Sequence, residues 1–183
     1  MAQLKLAQPV LFFVSVLYRK NLFDRQSLLK HLSTHDLFRR DQHRLIFFDH
    51  PFFPMGSYYQ KEMCPDLIDH DLHRLLILAP IPAEREKLVD LKLWACHLEN
   101  QWLDDRGGRS LNLDPGYLSL ENMVLSTTKS FAHRIYLGQG VYADLNLTFV
   151  EKTYHPLHWT YPDYAHPDFI QFFNWARGFL QFM

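Results

Sequence analysis

Between Gly107 and Phe149 the chain concentrates residues able to hold anions and move protons: Arg109, Asn112, Asp114, Lys129, His133, Arg134 and Asp144. A guanidinium fork suits phosphate or carboxylate, because its paired N–H groups match two oxygens at once. Lys129, His133 and Arg134 form a short basic cluster, in which His133 could donate a proton, its unperturbed pKa being about 6.5. Asp114 could hold a divalent metal, act as a general base or orient a cation. Plainer roles compete with each of these. An aspartate opening a β-turn bonds its own backbone, a lysine at a helix end is favoured by the helix dipole, and an exposed cross-strand ion pair contributes only about 0–1 kcal/mol.

Turn and strand signals around these residues predict how they are held. Gly138-Gln139-Gly140 reads as a three-residue hairpin loop between strands 134–137 and 141–149. That register pairs Leu137 with Val141, Tyr136 with Tyr142 and Arg134 with Asp144, so those last four side chains share a face. Val141, Ala143, Leu145, Leu147 and Phe149 then turn to the core. Upstream, 109–113 reads as a short strand carrying Asn112 and, at its end, Asp114, with Asp114-Pro115-Gly116 as a turn before Tyr117. Ser119 reads as the cap of a helix through about Ser130. A longer helix, from about Ala83 to Asp104 and opened by Pro82, buries Leu88, Leu91, Trp94, Ala95, Leu98 and Trp102. Lys92 and Glu99 border that stripe within about 20° of each other, where they could project over the same sheet as Asp114 or simply form its rim.

The remaining elements complete the frame. Residues 10–18 (VLFFVSVLY) form a nearly continuous apolar run, expected of a central strand buried on both faces. A helix capped by Asn21 and running to about Leu37 follows, with strands at Leu45–Phe48, Tyr58–Met63 and Leu72–Leu78. An aromatic, proline-rich loop (155–167) leads into a final helix at about 168–181. Strands and helices are interspersed without regular alternation, which predicts one α+β domain over residues 1–183. Its mixed or antiparallel sheet would be packed by helices, with a ferredoxin-like core over the first two-thirds, an added hairpin and a C-terminal helix.

The totals bound the function. The chain has 183 residues, 48 % of them hydrophobic and 21 % charged, which is enough for a sizeable core. A formal charge of −1 supplies no general pull toward nucleic acid. Cys64 and Cys96 match no zinc or redox spacing, so a reducing compartment is expected. The apolar run Val10–Leu17 is too short to span a bilayer and lacks the pattern of a secretory signal, so no membrane partner and a cytoplasmic location are expected. His31 and His35 lie a helical turn apart without a third ligand. His155, His158 and His166 sit among tyrosines and tryptophans, where they could stack or ligate. The P-loop, the Gly-x-Gly-x-x-Gly turn, the Gly-x-Ser-x-Gly elbow, His-Glu-x-x-His and Cys-x-x-Cys are all absent.

GGRSLNLDPGYLSLENMVLSTTKSFAHRIYLGQGVYADLNLTF, with SYYQKEM, DLKLWACHLE and WTYPDY, resembles a family of bacterial and archaeal proteins known as domain of unknown function 4416. The likeness covers nearly the whole chain. Its motif falls on Arg109, Asn112, Asp114, Pro115, Gly116, Tyr117, Lys129, His133, Arg134, Tyr136, Tyr142 and Asp144. The chain departs from the family pattern at Ser57, Gln60 and Cys64, and at Ala95-Cys96. The resemblance implies no established activity.

The expected function is binding, with or without turnover, of a small phosphorylated or nucleotide-like anion. Arg109, Lys129 and Arg134 would hold the anion, with Asn112, Tyr117, Tyr136, Tyr142, Lys92 and Glu99 around it. Asp114, with Glu99 or Asp144, would position a proton or a divalent metal, the one cofactor these residues suggest, and His133 would serve as acid or base. The alternative is a non-catalytic interaction or assembly module, a homo-oligomer included, built on Tyr154–Tyr164 and the apolar final helix.

Overall fold

Why the strand at 10–18 is apolar on both faces is evident in the computed structural model, which describes residues 3–50, 63, 72–103, 105 and 107–181. This strand, β1 (Leu11–Arg19), lies inside an eight-stranded sheet with helices against both surfaces. The other strands are β2 (Ile46–His50), β3 (Leu72–Leu78), β4 (Leu111–Leu118), β5 (Asn122–Thr127), β6 (Arg134–Gly138), β7 (Val141–Val150) and β8 (Thr153–Pro156). Helices are α1 (Arg25–Leu32), α2 (Asp36–Arg39), α3 (Lys87–Asn100), α4 (Pro162–Ala165) and α5 (Pro167–Arg177). The sheet order is β2-β3-β1-β4-β5-β7-β6, with β8 also on β7, and every pairing is antiparallel. The protein is therefore α+β, and among the described residues the elements from β1 to β4 follow the β-α-β-β-α-β pattern.

Alternation along β1 divides the core. Phe12, Val14 and Val16, with Leu75, Ile77, Leu111 and Leu113, pack beneath α1, α2 and α3. Leu11 and Phe13, with Leu76, Leu78, Leu118 and Leu125, pack beneath Phe169, Phe172 and Phe173 of α5. Each such buried side chain contributes about 1.5–3 kcal/mol relative to exposure. Ser15 is the polar exception in this strand, facing the α5 side opposite Leu76 and Asp114.

Several boundaries differ from those expected. The helix assigned to Ser119–Ser130 is the turn and strand β5: Met123, Val124 and Leu125 pair with β7 and fill both cores. Ser119 instead organises the β4–β5 turn, its hydroxyl accepting from the Glu121 and Asn122 amides. The expected Asp-Pro-Gly turn is straight strand, because Asp114, Pro115 and Gly116 pair in register with Ser15, Val14 and Phe13. Helix α3 starts at Lys87 rather than Ala83, whose backbone is bonded in both directions to Val10. It also stops at Asn100, short of Asp104. Asp24, not Asn21, caps α1, completing a capping box with Ser27. The segment expected to continue to Leu37 breaks into α1 and α2. Strand β8 and helix α4 occupy part of the stretch expected to be loop. The strand expected at Tyr58–Met63 lies outside the described residues apart from Met63, as do Ser57, Gln60 and Cys64.

The hairpin keeps the Arg134–Asp144 and Tyr136–Tyr142 pairs. Gly138 rather than Leu137 faces Val141, leaving a two-residue loop and a bulge at Leu137 that together preserve the count. A second bulge, at Asn146, lies between the Val124–Leu145 and Met123–Leu147 pairs. It corrects the expected facing. Ala143 and Leu145 join the core under α3, whereas Leu147 and Phe149 cross to the α5 side.

Candidate functional site

The β4–β5 ladder is short, running only from Leu118–Met123 to Gly116–Leu125. Pro115 explains where it stops. Its carbonyl faces β5, accepting from the Ser126 hydroxyl at 2.9 Å, but proline has no N–H to return a second bond. Beyond it the two strands separate. The next inward-facing backbone groups belong to Leu113, whose amide donates to Glu99 Oε1 at 2.5 Å and whose carbonyl accepts from Lys92 Nζ at 3.1 Å. Two charged side chains of α3 thus replace a strand partner. The helix pattern left Lys92 and Glu99 either projecting over the sheet or forming its rim, and the structure has both reaching Leu113 of β4.

A cavity of about 110 Å³ fills the gap. One wall is Asn112 and Asp114 of β4, with Arg109 just before the strand. The opposite wall is Leu125 and Thr127 of β5, then Thr128 and Lys129, with Asp144 of β7. Lys92 reaches in from α3, Arg74 from β3, and Tyr161 and Tyr164 from the α4 region. The lining therefore carries four cationic and two anionic side chains, a net positive surface.

Many of these polar groups are held by named partners. Asn112 Nδ2 donates to Asp114 Oδ2 at 2.8 Å. Arg74 donates to Ser15 Oγ at 2.8 Å and pairs with Asp163 at 2.8 Å, both charges being well buried. Arg109 reaches Glu99 at 3.5 Å. Burial raises the Glu99 pKa, with Lys92 and the Leu113 amide pulling the other way. Burial also raises the Tyr164 pKa, reinforced by the nearby Asp114 charge, so this phenol keeps its proton across neutral pH.

Asp144 is the most elaborately supported residue. Arg134 Nε donates to its Oδ2 at 2.9 Å, and the same guanidinium donates to the Lys129 carbonyl at 3.0 Å and to Tyr161 Oη at 3.1 Å. Arg134 thereby ties three cavity-lining residues together from behind. His133 Nε2 lies 3.4 Å from Asp144 Oδ1, and its ring stacks on Trp159 at 4.8 Å with planes 10° apart. Trp159 is fixed in turn by donating to the Leu145 carbonyl at 2.7 Å. The Thr160 hydroxyl bonds the Asn146 carbonyl beside it. The 157–161 loop therefore fills the edge of β7 between β6 and β8.

Of the residues singled out from sequence, Arg109, Asn112, Asp114, Lys129, Asp144 and Lys92 line the cavity. Glu99, His133 and Arg134 stand behind that lining and position it. Tyr136 and Tyr142 share the expected face but pair with each other at 5.1 Å, and Tyr136 Oη accepts from the Gly140 amide, beside the hairpin turn. Tyr117 is on the opposite face of the sheet. With β4 straight through Pro115, an odd step from Asp114 turns its ring toward Phe12, at 6.2 Å, and Arg85. Sequence reasoning missed Arg74, Thr127, Thr128, Tyr161 and Tyr164. Arg74 was visible as a lone cation inside the apolar run LHRLLIL, and both tyrosines lie within the WTYPDY segment.

In the predicted site no three-ligand group forms around Asp114 and Asp144 among the described residues. Among the described residues the one such cluster is His50, His166 and Asp168. No helix among the described residues is long and apolar enough to cross a membrane.

Fold and site together define an antiparallel α+β domain, helix-covered on both faces, with its sheet opened around a net cationic cavity. The family model described as "Domain of unknown function (DUF4416)" matches residues 8–179, and the chain belongs to that family. No curated protein and no solved structure matches it.

Proposed function

We propose that the protein binds a small phosphorylated or nucleotide-like anion whose charged head enters the β4–β5 gap. The observation that carries this reading is the convergence of Arg74, Lys92, Arg109 and Lys129 on one small cavity, beside the Thr127 and Thr128 hydroxyls. Cations around a partly dry pocket act on an anion with less screening than they would in water. The size is informative as well. At about 110 Å³ the cavity suits a phosphoryl or carboxylate head, whereas pockets that enclose whole drug-sized ligands run to about 300–1,000 Å³. The rest of a larger ligand would extend past Tyr161 and Lys129. If turnover follows binding, Asp114 and Asp144 are the lining groups able to take a proton, and His133 acts on the ligand only through Asp144.

Thermal-shift and calorimetric titration with inorganic phosphate, pyrophosphate and nucleoside phosphates test the reading. Stabilisation by at least one of these, weakened tenfold or more by Lys129→Gln, is expected. Stabilisation by none of them leaves the reading without support. A second reading, an assembly module, rests on Trp175 and Phe179 of the C-terminal region, which are 53 % and 40 % exposed beside the buried Phe172. Size-exclusion chromatography with light scattering checks it, a monomer at micromolar concentration counting against it.

A further inference from the structure

Away from the cavity, the end of edge strand β2 meets the start of α5. His50, the last residue of β2, is buried, with its ring 4.8 Å from Phe169 and 4.7 Å from His166. His166 is the N-cap of α5, and Asp168 is in the first turn. Three atoms converge there. His50 Nε2 lies 3.3 Å from His166 Nδ1 and 3.8 Å from Asp168 Oδ2, and His166 Nδ1 lies 3.6 Å from Asp168 Oδ2.

We propose that these three atoms form a site for one divalent transition-metal ion, with zinc as the simplest occupant. The spacing carries the inference. Ligands about 2.0–2.1 Å from a tetrahedral zinc stand roughly 3.3–3.5 Å apart, and these three atoms stand 3.3, 3.6 and 3.8 Å apart, so a small closure of Asp168 completes the spacing. Two imidazoles and one carboxylate are also a donor set suited to such ions. The surroundings fit. His166 and Asp168 are 42 % and 59 % exposed, so an ion can enter from solvent and keep a position open there, while the buried His50 anchors the inner side. The two imidazole nitrogens lie within hydrogen-bond distance of each other, at 3.3 Å. His166 Nδ1 also accepts from the Asp168 amide at 3.3 Å, and both contacts are long for hydrogen bonds, so an ion displaces little. The ion takes the place of the hydrogen bond between the imidazoles, and the imidazole that donated it stays neutral by carrying its proton on the other ring nitrogen. The ion joins β2 to α5, which otherwise meet here through stacked aromatic rings.

Titration of the full chain with Zn²⁺ against a chromophoric chelator tests the site, alongside His166→Ser, which keeps an oxygen able to cap α5, and Asp168→Asn, which keeps the side-chain shape. Circular dichroism checks that both variants fold. The expected result is one ion per chain, bound at least tenfold more weakly in each variant. Binding should weaken as pH falls, because protons compete with the ion for its ligands. Substitution with Co²⁺ should give the visible absorption of a four-coordinate ion, lost in both variants. The chain has eleven histidines, so dependence on these residues is what distinguishes this site. No stoichiometric binding by the wild-type chain, or binding undiminished in either variant, overturns the proposal.

Discussion

Replacing Gly116 by alanine tests how the split sheet is built. Gly116 closes the β4–β5 ladder opposite Leu125, one residue beyond Pro115. A methyl there would lie 2.6 Å from Phe13 Cζ, 2.6 Å from the Val124 carbonyl oxygen and 3.0 Å from Leu125 Cδ2. Favourable carbon contacts start near 3.5 Å, so the first intrudes by about 0.9 Å, and both it and the oxygen contact are closer than 3.0 Å, nearer than a methyl carbon comes. Leu125 can swing its end away. Phe13 is fully buried with its ring 5.5 Å from Phe173, and the Val124 oxygen belongs to the backbone of a central strand. Overpacking costs about 1–3 kcal/mol, occasionally more, and two rigid contacts place this substitution near 3 kcal/mol. For a domain of this size the melting temperature should fall by about 6–12 °C. Urea unfolding followed by tryptophan fluorescence measures the loss. Phe13→Leu removes the ring atom at the clash, so in the Gly116→Ala background it should cost at least 1 kcal/mol less than in the wild-type chain. A loss under about 0.5 kcal/mol for Gly116→Ala, or strict additivity in the double variant, would refute the contact geometry.

Two further substitutions probe the frame around the cavity, and a third the β7–β8 turn. Arg74→Met should cost about 3–5 kcal/mol, because it leaves the Asp163 carboxylate largely buried without its 2.8 Å partner, and adding Asp163→Asn should recover part of that loss in a denaturation cycle. Glu99 has its folded pKa raised above 4.5, so its contribution to stability is fully present below that value and is lost as pH rises through the folded pKa. Glu99→Gln should therefore gain on the wild type with rising pH in denaturant titrations from pH 4 to 8, and parallel profiles would contradict this. Lys152→Gly, at φ 69° in the β7–β8 turn, should stabilise by about 0.5–1 kcal/mol, seen as a higher melting temperature.

What the sequence made legible depended on how local each signal was. The 10–18 run, the 72–78 strand and the Arg134–Asp144 and Tyr136–Tyr142 pairs rest on apolar continuity and hairpin counting, and they stand in the structure. Asp114-Pro115-Gly116 misled because the same three residues favour a turn in isolation. In the chain, β1 lies alongside and holds them straight, while the proline acts on β5 instead. Ser119 carried a capping signal, yet the Met-Val-Leu run after it had two cores to fill. Five of the twelve lining residues, Arg109, Asn112, Asp114, Lys129 and Asp144, came from a single stretch of sequence and were visible, and Lys92 was visible on the long helix. The contributions of Arg74, Tyr161 and Tyr164 depend on strand order and on the folding back of the α4 segment, which no local pattern encodes.

The gap between β4 and β5 gives the sheet something ordinarily confined to its outer strands: a border in its interior where backbone groups could recruit a foreign strand. Pro115 removes one donor from that border, and Lys92 and Glu99 occupy the Leu113 amide and carbonyl that follow. The helix that shapes the cavity therefore also guards it. An opening wide enough for a ligand head is closed to another chain's backbone, so the protein can keep a vent in its sheet without inviting aggregation.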